Sequence, residues 1–139
     1  VLIDEAQACA CLVPVGQVAG RDVLTVEGLA QTAIGSALQQ AFQAHGAAQC
    51  GICTPGMLMA AYDLLRRNPQ PGERETLDAL GGVLCRCTGY LKIVEAVRDA
   101  HRFMGSGTAP SPTDGPAIGT RLARLDGAPK VAGTERYGA

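Results

Sequence analysis

Gln49-Cys50-Gly51-Ile52-Cys53-Thr54-Pro55-Gly56 and, further on, Cys85-Arg86-Cys87-Thr88-Gly89-Tyr90 decide the reading of this chain. Each stretch sets a close pair of cysteines in a turn rich in Gly and Thr. Thiolates repel one another, so four gathered together need a metal centre to neutralise them. Four cysteines without a neighbouring His or carboxylate suit either zinc or an iron–sulfur cluster. The spacing helps to choose. Zinc ribbons use pairs two to four residues apart, whereas Cys85-Arg86-Cys87 has a single residue between its sulfurs. That gap is cramped around one small ion and easier on the broader face of a 2Fe-2S rhomb. Iron–sulfur is the favoured reading, with a zinc-stabilised structural or interaction module as the alternative.

Working outward, the flanks of both pairs read as helices. Ile34, Ala37, Leu38, Ala41 and Phe42 recur at helical spacing, and Gly46 is placed to end that helix. Met57, Leu58, Ala61, Leu64 and Leu65 form a second stripe, with Thr54 as expected N-cap and Pro55 at the first helical position. Arg66, Arg67 and Pro69 mark its end. A short helix is expected over Glu73–Leu80, stopped by Gly81 and Gly82. A fourth follows Gly89, with Ile93, Val94, Val97, Ala100 and Met104 on its buried face and His101 and Arg102 in its last turn. Both cysteine pairs therefore precede a helix N-terminus, where unsatisfied N–H groups and partial positive charge favour anionic sulfur. Before this region, Val1-Leu2-Ile3, Cys11-Leu12-Val13 and Val23-Leu24-Thr25-Val26 read as short strands. Residues 106–117 read as a linker by their Gly, Ser and Pro content.

Composition narrows the function classes. The chain has 139 residues and a net charge of −1, so no nucleic-acid or anionic-membrane surface is indicated. No run reaches the roughly 18 apolar residues of a membrane span. Trp is absent and aromatics make up 4% of residues, so Ala, Leu and Val must fill the core, which suits closely packed helices. Six cysteines in so short a chain raise the possibility of a disulfide scaffold. The close pairs are poorly placed to bridge each other, and nothing resembles a signal peptide. The start at Val1, without Met, leaves a preceding segment expected. A redox-sensing regulator would need a partner or nucleic-acid surface, and the near-neutral charge argues against the latter.

The paired signature CGxCTPG and CRCTGY resembles the helical 2Fe-2S domain of the molybdenum hydroxylases, the xanthine dehydrogenase and aldehyde oxidoreductase family. The resemblance implies a mainly α fold: a four-helix 2Fe-2S domain built as two helix pairs, preceded by β remnants of a plant-type ferredoxin domain. It implies that Cys50, Cys53, Cys85 and Cys87 ligate the cluster, and that Gln49 and the backbone of Cys87 face the pterin of the molybdenum cofactor. Val1-Leu2-Ile3-Asp4 is similar to the strand after three ferredoxin cysteines, which makes Cys11 the fourth ligand of a second 2Fe-2S cluster, incomplete in this chain. Exchanged roles for Cys9 and Cys11 are a minor alternative, and Cys9 is otherwise expected to be a small buried thiol. Glu5 departs from the family pattern, standing where a turn Gly is usual.

Arg124, Asp126, Lys130, Val131, Gly133 and Tyr137 match the pattern R-x-D-x-x-x-K-V-x-G-x-x-x-Y, which resembles the opening of the molybdopterin-binding part. No flavin domain stands between, a layout similar to flavin-free aldehyde oxidoreductases. The resemblance thus divides the chain into a ferredoxin-like remnant (1–26), the helical 2Fe-2S domain (27–105), the linker (106–117) and the start of a molybdopterin-binding domain (118–139), an internal piece of a fused polypeptide. It implies electron transfer from a molybdopterin site that oxidises aldehydes or N-heterocycles, with no catalytic group in these residues. The implied partners are the molybdopterin-binding domain of the same polypeptide and an external electron acceptor; a homodimer is left open. A cytoplasmic location is expected, with the periplasm left open. Elsewhere, His45 and His101 are expected to cap helix carbonyls. Met57 and Met59 are expected to pack in the core or an interface, and Tyr90 to pack with a partner for its hydroxyl.

Overall fold

A computed structural model describes residues 1–105, 118–119 and 122–138; the linker expected over 106–117 lies outside the described residues. The chain opens with a small antiparallel sheet of β1 (Leu2–Ile3), β2 (Ala6–Gln7) and β3 (Val23–Leu24), in the order β2-β1-β3. Leu2 pairs with Gln7 on one side and Leu24 on the other. The β1–β2 turn places Asp4 and Glu5 at φ 46° and 68°, the left-handed pair that a tight hairpin demands. Glu5 therefore adopts the conformation for which Gly is usual. Arg66 steadies it, pairing with the Glu5 carboxylate at 2.9 Å and donating to its carbonyl at 3.3 Å. Asp4 is held by Arg21 at 2.9 Å and by the Asp22 N–H at 3.0 Å.

The strand expected at Cys11-Leu12-Val13 is instead a 3-10 turn over Ala10–Leu12. Its amides bond locally, Leu12 N–H to the Cys9 carbonyl at 2.9 Å, and Pro14 has no N–H to offer a ladder. Further 3-10 segments cover Val15–Val18 and Val26–Gln31, the second leading into the helices.

Four helices follow: α1 (Ala33–His45), α2 (Thr54–Arg67), α3 (Glu73–Leu80) and α4 (Tyr90–Asp99). Thr32 caps α1, its hydroxyl accepting from Gly35 N–H at 3.0 Å, and Gly46 ends it in the left-handed region as expected. Thr54 is not the cap of α2. Cys53 already has helical φ and ψ, and its carbonyl accepts from Met57 N–H, so the helix begins a residue early and the Thr54 side chain is buried. Beyond α4 the chain tightens into a 3-10 turn at Ala100–Phe103. A 3-10 turn has about 3.0 residues against 3.6, which shifts the phase of the stripe. Met104, expected on the buried face, is accordingly 49% exposed.

His45 does not cap carbonyls. The amides of Gly46 and Ala47 already serve the end of α1, and the imidazole instead faces Asp99 at 3.1 Å and Glu95 at 3.8 Å. His101 behaves as expected, its Nδ1 lying 2.8 Å from the Arg98 carbonyl. A short helix that no periodicity announced, α5 (Gly127–Ala132), ends at Gly133 with φ 73°.

The helices pack as two pairs, α1 chiefly against α4 and α2, with α3 closing on α2 and α4. Leu29, Leu38, Phe42, Met57, Leu58, Leu64, Ile93 and Val97 are sealed from solvent, each large side chain contributing about 1.5–3 kcal/mol by burial. Ala37, Ala41, Ala61 and Ala96, also buried, let backbones approach closely. Leu2 from the sheet and Val131 from α5 enter the same core. Among the described residues no helix is long and apolar enough to cross a membrane.

Candidate metal centre

The loop between α1 and α2 carries Cys50 and Cys53, and the loop between α3 and α4 carries Cys85 and Cys87. The fold brings the two loops together. Cys53 and Cys85 each shift the other's ionisation across the loops, and Cys87 shifts that of Cys50. Cys85 is buried, Cys53 and Cys87 are half-buried, and Cys50 is exposed, so the four sulfurs run from the core to the surface.

Backbone amides converge on these sulfurs. Gly89 N–H donates to Cys85 Sγ at 3.5 Å. Burial opposes ionisation of Cys85, but the amides of Gly89, Cys87 and Thr88, together with the Cys53 thiol, outweigh it and lower the pKa. The Ile52 amide, then the Cys87 thiol, and with a smaller contribution the charge of Lys130, also hold Cys50 below the usual thiol range. Burial, then the Cys85 neighbour, pushes the Cys53 thiol up to about 12. The amides therefore favour negative sulfur at Cys85 and Cys50, while burial disfavours it at Cys53.

The backbone is shaped for this. Gly51 sits at φ 95°, and a Cβ there would fall 2.3 Å from Tyr137 Oη and 2.9 Å from Lys130 Cγ. Thr88 adopts φ 55°, turning the second loop back towards Cys85. The Tyr90 hydroxyl accepts from Cys85 N–H at 2.7 Å, the partner expected for it. Gln49, exposed, lays its amide against Gly89, where a Cβ would come 3.0 Å from Nε2, so it bridges the two loops.

The all-thiolate donor set, carried as two pairs on the two loops and ringed by N–H groups, fits a 2Fe-2S cluster, whose irons take two cysteines each. It fits a single zinc less well. Tetrahedral zinc draws its sulfurs to about 2.3 Å from one point, and the single-residue gap of Cys85-Arg86-Cys87 is shorter than the two to four residues that zinc pairs use. Cys9 and Cys11 are exposed at the N-terminal 3-10 turn. The buried thiol expected at Cys9 is overturned, because that turn carries no buried residue for it to pack against. Met57 and Met59 are core residues, as expected. An open cleft of about 600 Å³ beside His45, Glu95 and Arg102 has none of the cysteines in its wall.

Residues 25–98, more than half the chain, match the family described as the 2Fe-2S binding domain. The chain belongs to that family. It is 50% identical over 106 residues to the nicotine 6-hydroxylase small subunit of Paenarthrobacter nicotinovorans, covering 76% of this chain and 64% of that one. It is 47% identical over 98 residues to aldehyde oxidase 3 of Rattus norvegicus, covering 69% of this chain and 7% of that one. The crystal structure of the aldehyde oxidoreductase from Desulfovibrio desulfuricans matches with a TM-score of 0.83 at 34% identity, covering 99% of this chain and 16% of that one. The chain thus spans less than two thirds of the length of each of these relatives. The resemblance drawn from the two cysteine motifs is borne out by them, as is the helical fold behind a small sheet. Iron–sulfur binding for electron transfer, rather than a zinc-stabilised module, is the role consistent with these relatives.

Two features of the site were not foreseen. Lys130 donates to the Gln49 carbonyl at 3.2 Å, and Tyr137 covers Gly51. Both residues stand out in the sequence only as members of the C-terminal motif.

Proposed function

We propose that Cys50, Cys53, Cys85 and Cys87 hold one 2Fe-2S cluster, and that this chain carries electrons from a molybdopterin site in a molybdenum-dependent hydroxylase. The single observation that carries the reading is the meeting of the two cysteine loops, with Gln49 lying against Gly89 and the Gly89 N–H donating to Cys85 Sγ at 3.5 Å. When bound, such a cluster takes up and returns one electron at a time. The residues supply the rest. The amides of Ile52, Thr88 and Gly89 stabilise negative sulfur, and burial of Cys85, with partial burial of Cys53, keeps water from the inner edge. Gln49, exposed and braced on Gly89, offers a donor and an acceptor to the pterin from the same edge as Cys87. The molybdopterin-binding region is the partner in this reading, with an external acceptor beyond. Aldehydes and N-heterocycles are the proposed substrate classes, after the names of the relatives. Cys11 is proposed as a ligand of a second cluster whose other cysteines precede Val1.

The test replaces each of the four cysteines by Ser and measures iron, sulfide and the paramagnetic signal after reduction. Each variant is expected to lose the cluster or alter its signal. A variant with a wild-type cluster removes that residue from the ligand set.

A further inference from the structure

Lys130 lies on α5, far along the chain from the cysteines, yet only 8% of it is exposed. Its ammonium donates to the carbonyl of Gln49, the residue immediately before Cys50, at 3.2 Å. Its methylenes, with the Tyr137 hydroxyl, fill the space above Gly51. The charge thus sits on the loop that presents Cys50 and Cys53. Asp126 accepts from the same ammonium, and Arg124 grips Asp126 with a two-point fork at 2.8 and 2.7 Å. Two cations and one carboxylate leave this group with a net positive charge.

An ion pair made only for stability has no need to bury its ammonium against a carbonyl, because desolvating the charge is costly. What the placement does achieve is a fixed positive charge on the Cys50 loop, 3.2 Å from the carbonyl of the residue before Cys50, in a setting less screened than open water. A one-electron reduction adds a unit of negative charge at this loop and breaks no bond. The cation stabilises the reduced form more than the oxidised one.

We propose that Lys130 is a positioning residue for the Cys50 loop whose charge raises the reduction potential of the cluster held there, with Asp126 setting how much of that charge is felt. This rests on the reading that the four cysteines ligate the cluster. The arrangement also makes the segment beyond the linker part of the redox site, because it is that segment which carries the cation.

The experiment is a redox titration of the full-length protein with its clusters in place, followed by paramagnetic resonance. The relevant signal is the one that Cys85→Ser abolishes or alters. Lys130→Met is expected to move its midpoint to a more negative potential, and Lys130→Arg to stay near the parent. Asp126→Asn keeps the shape of the contact but removes its negative charge, so it is expected to move the midpoint the opposite way. A purely structural role would give no such pair of opposite signs. Unchanged midpoints, or shifts of Lys130→Met and Asp126→Asn in the same direction, overturn the proposal. If Lys130→Met does not retain iron, Asp126→Asn decides alone, and an unchanged or more negative midpoint overturns it. If Cys85→Ser leaves every signal intact, the ligand reading falls and this inference falls with it; if that signal changes but the midpoints do not, only the inference falls.

Discussion

At the scale of single residues, Gly51 is a position with little freedom. Its φ of 95° disfavours any side chain, and Tyr137 and Lys130 already occupy the space a Cβ would need. Gly51→Ala is expected to cost about 1–3 kcal/mol from backbone strain, and more if Tyr137 is displaced. The measurement is thermal unfolding alongside the rate of iron loss to a chelator. Stability and iron retention equal to the parent would show that the loop relaxes without cost. The four clustered cysteines were legible in the sequence because their chemistry is local: close spacing, flanking glycines and no competing ligand. Lys130 was not legible as a neighbour of the site, because its contact with Gln49 joins residues 81 positions apart. Cys9 was misread for a related reason. A free Cys is usually buried, but only a packed neighbour can bury it, and the Ala10–Leu12 turn has none.

At the scale of elements, α4 begins where its first residue can reach the Cys85–Cys87 loop. Tyr90 places its hydroxyl 2.7 Å from the Cys85 amide, so the helix start and that loop are tied by one hydrogen bond. Tyr90→Phe leaves that N–H without its acceptor, at an expected cost of about 1–3 kcal/mol. Chemical denaturation with iron retained should show a lower midpoint at unchanged slope. A midpoint equal to the parent would mean that the bond contributes nothing net. The long helices were legible from their apolar stripes, and their errors fall at the ends, where periodicity carries no information. Thr54 read as a cap, although Cys53 already turns with the helix. Met104 read as buried, although α4 tightens before reaching it. The short helix α5, six residues with a Pro at the third, gave no stripe to read.

At the scale of the whole molecule, one core gathers Leu2 from the sheet, Phe42 and Ile93 from the helical pairs, and Val131 from α5. The two cysteine loops project from that core, so a cluster held by the folded state alone adds its binding energy to folding. The joining of the C-terminal segment to this core was not legible. It depends on contacts such as the Gln39 amide to the Val131 carbonyl, across 92 positions. The central claim is the proposal that Cys50, Cys53, Cys85 and Cys87 together hold one 2Fe-2S cluster. Its most direct test is the content of iron and acid-labile sulfide in the 139-residue chain, purified without oxygen, read with its visible spectrum. The account predicts a coloured protein with iron and sulfide in equal amounts, at one 2Fe-2S cluster per chain. A colourless protein holding zinc, or two clusters per chain, would contradict it.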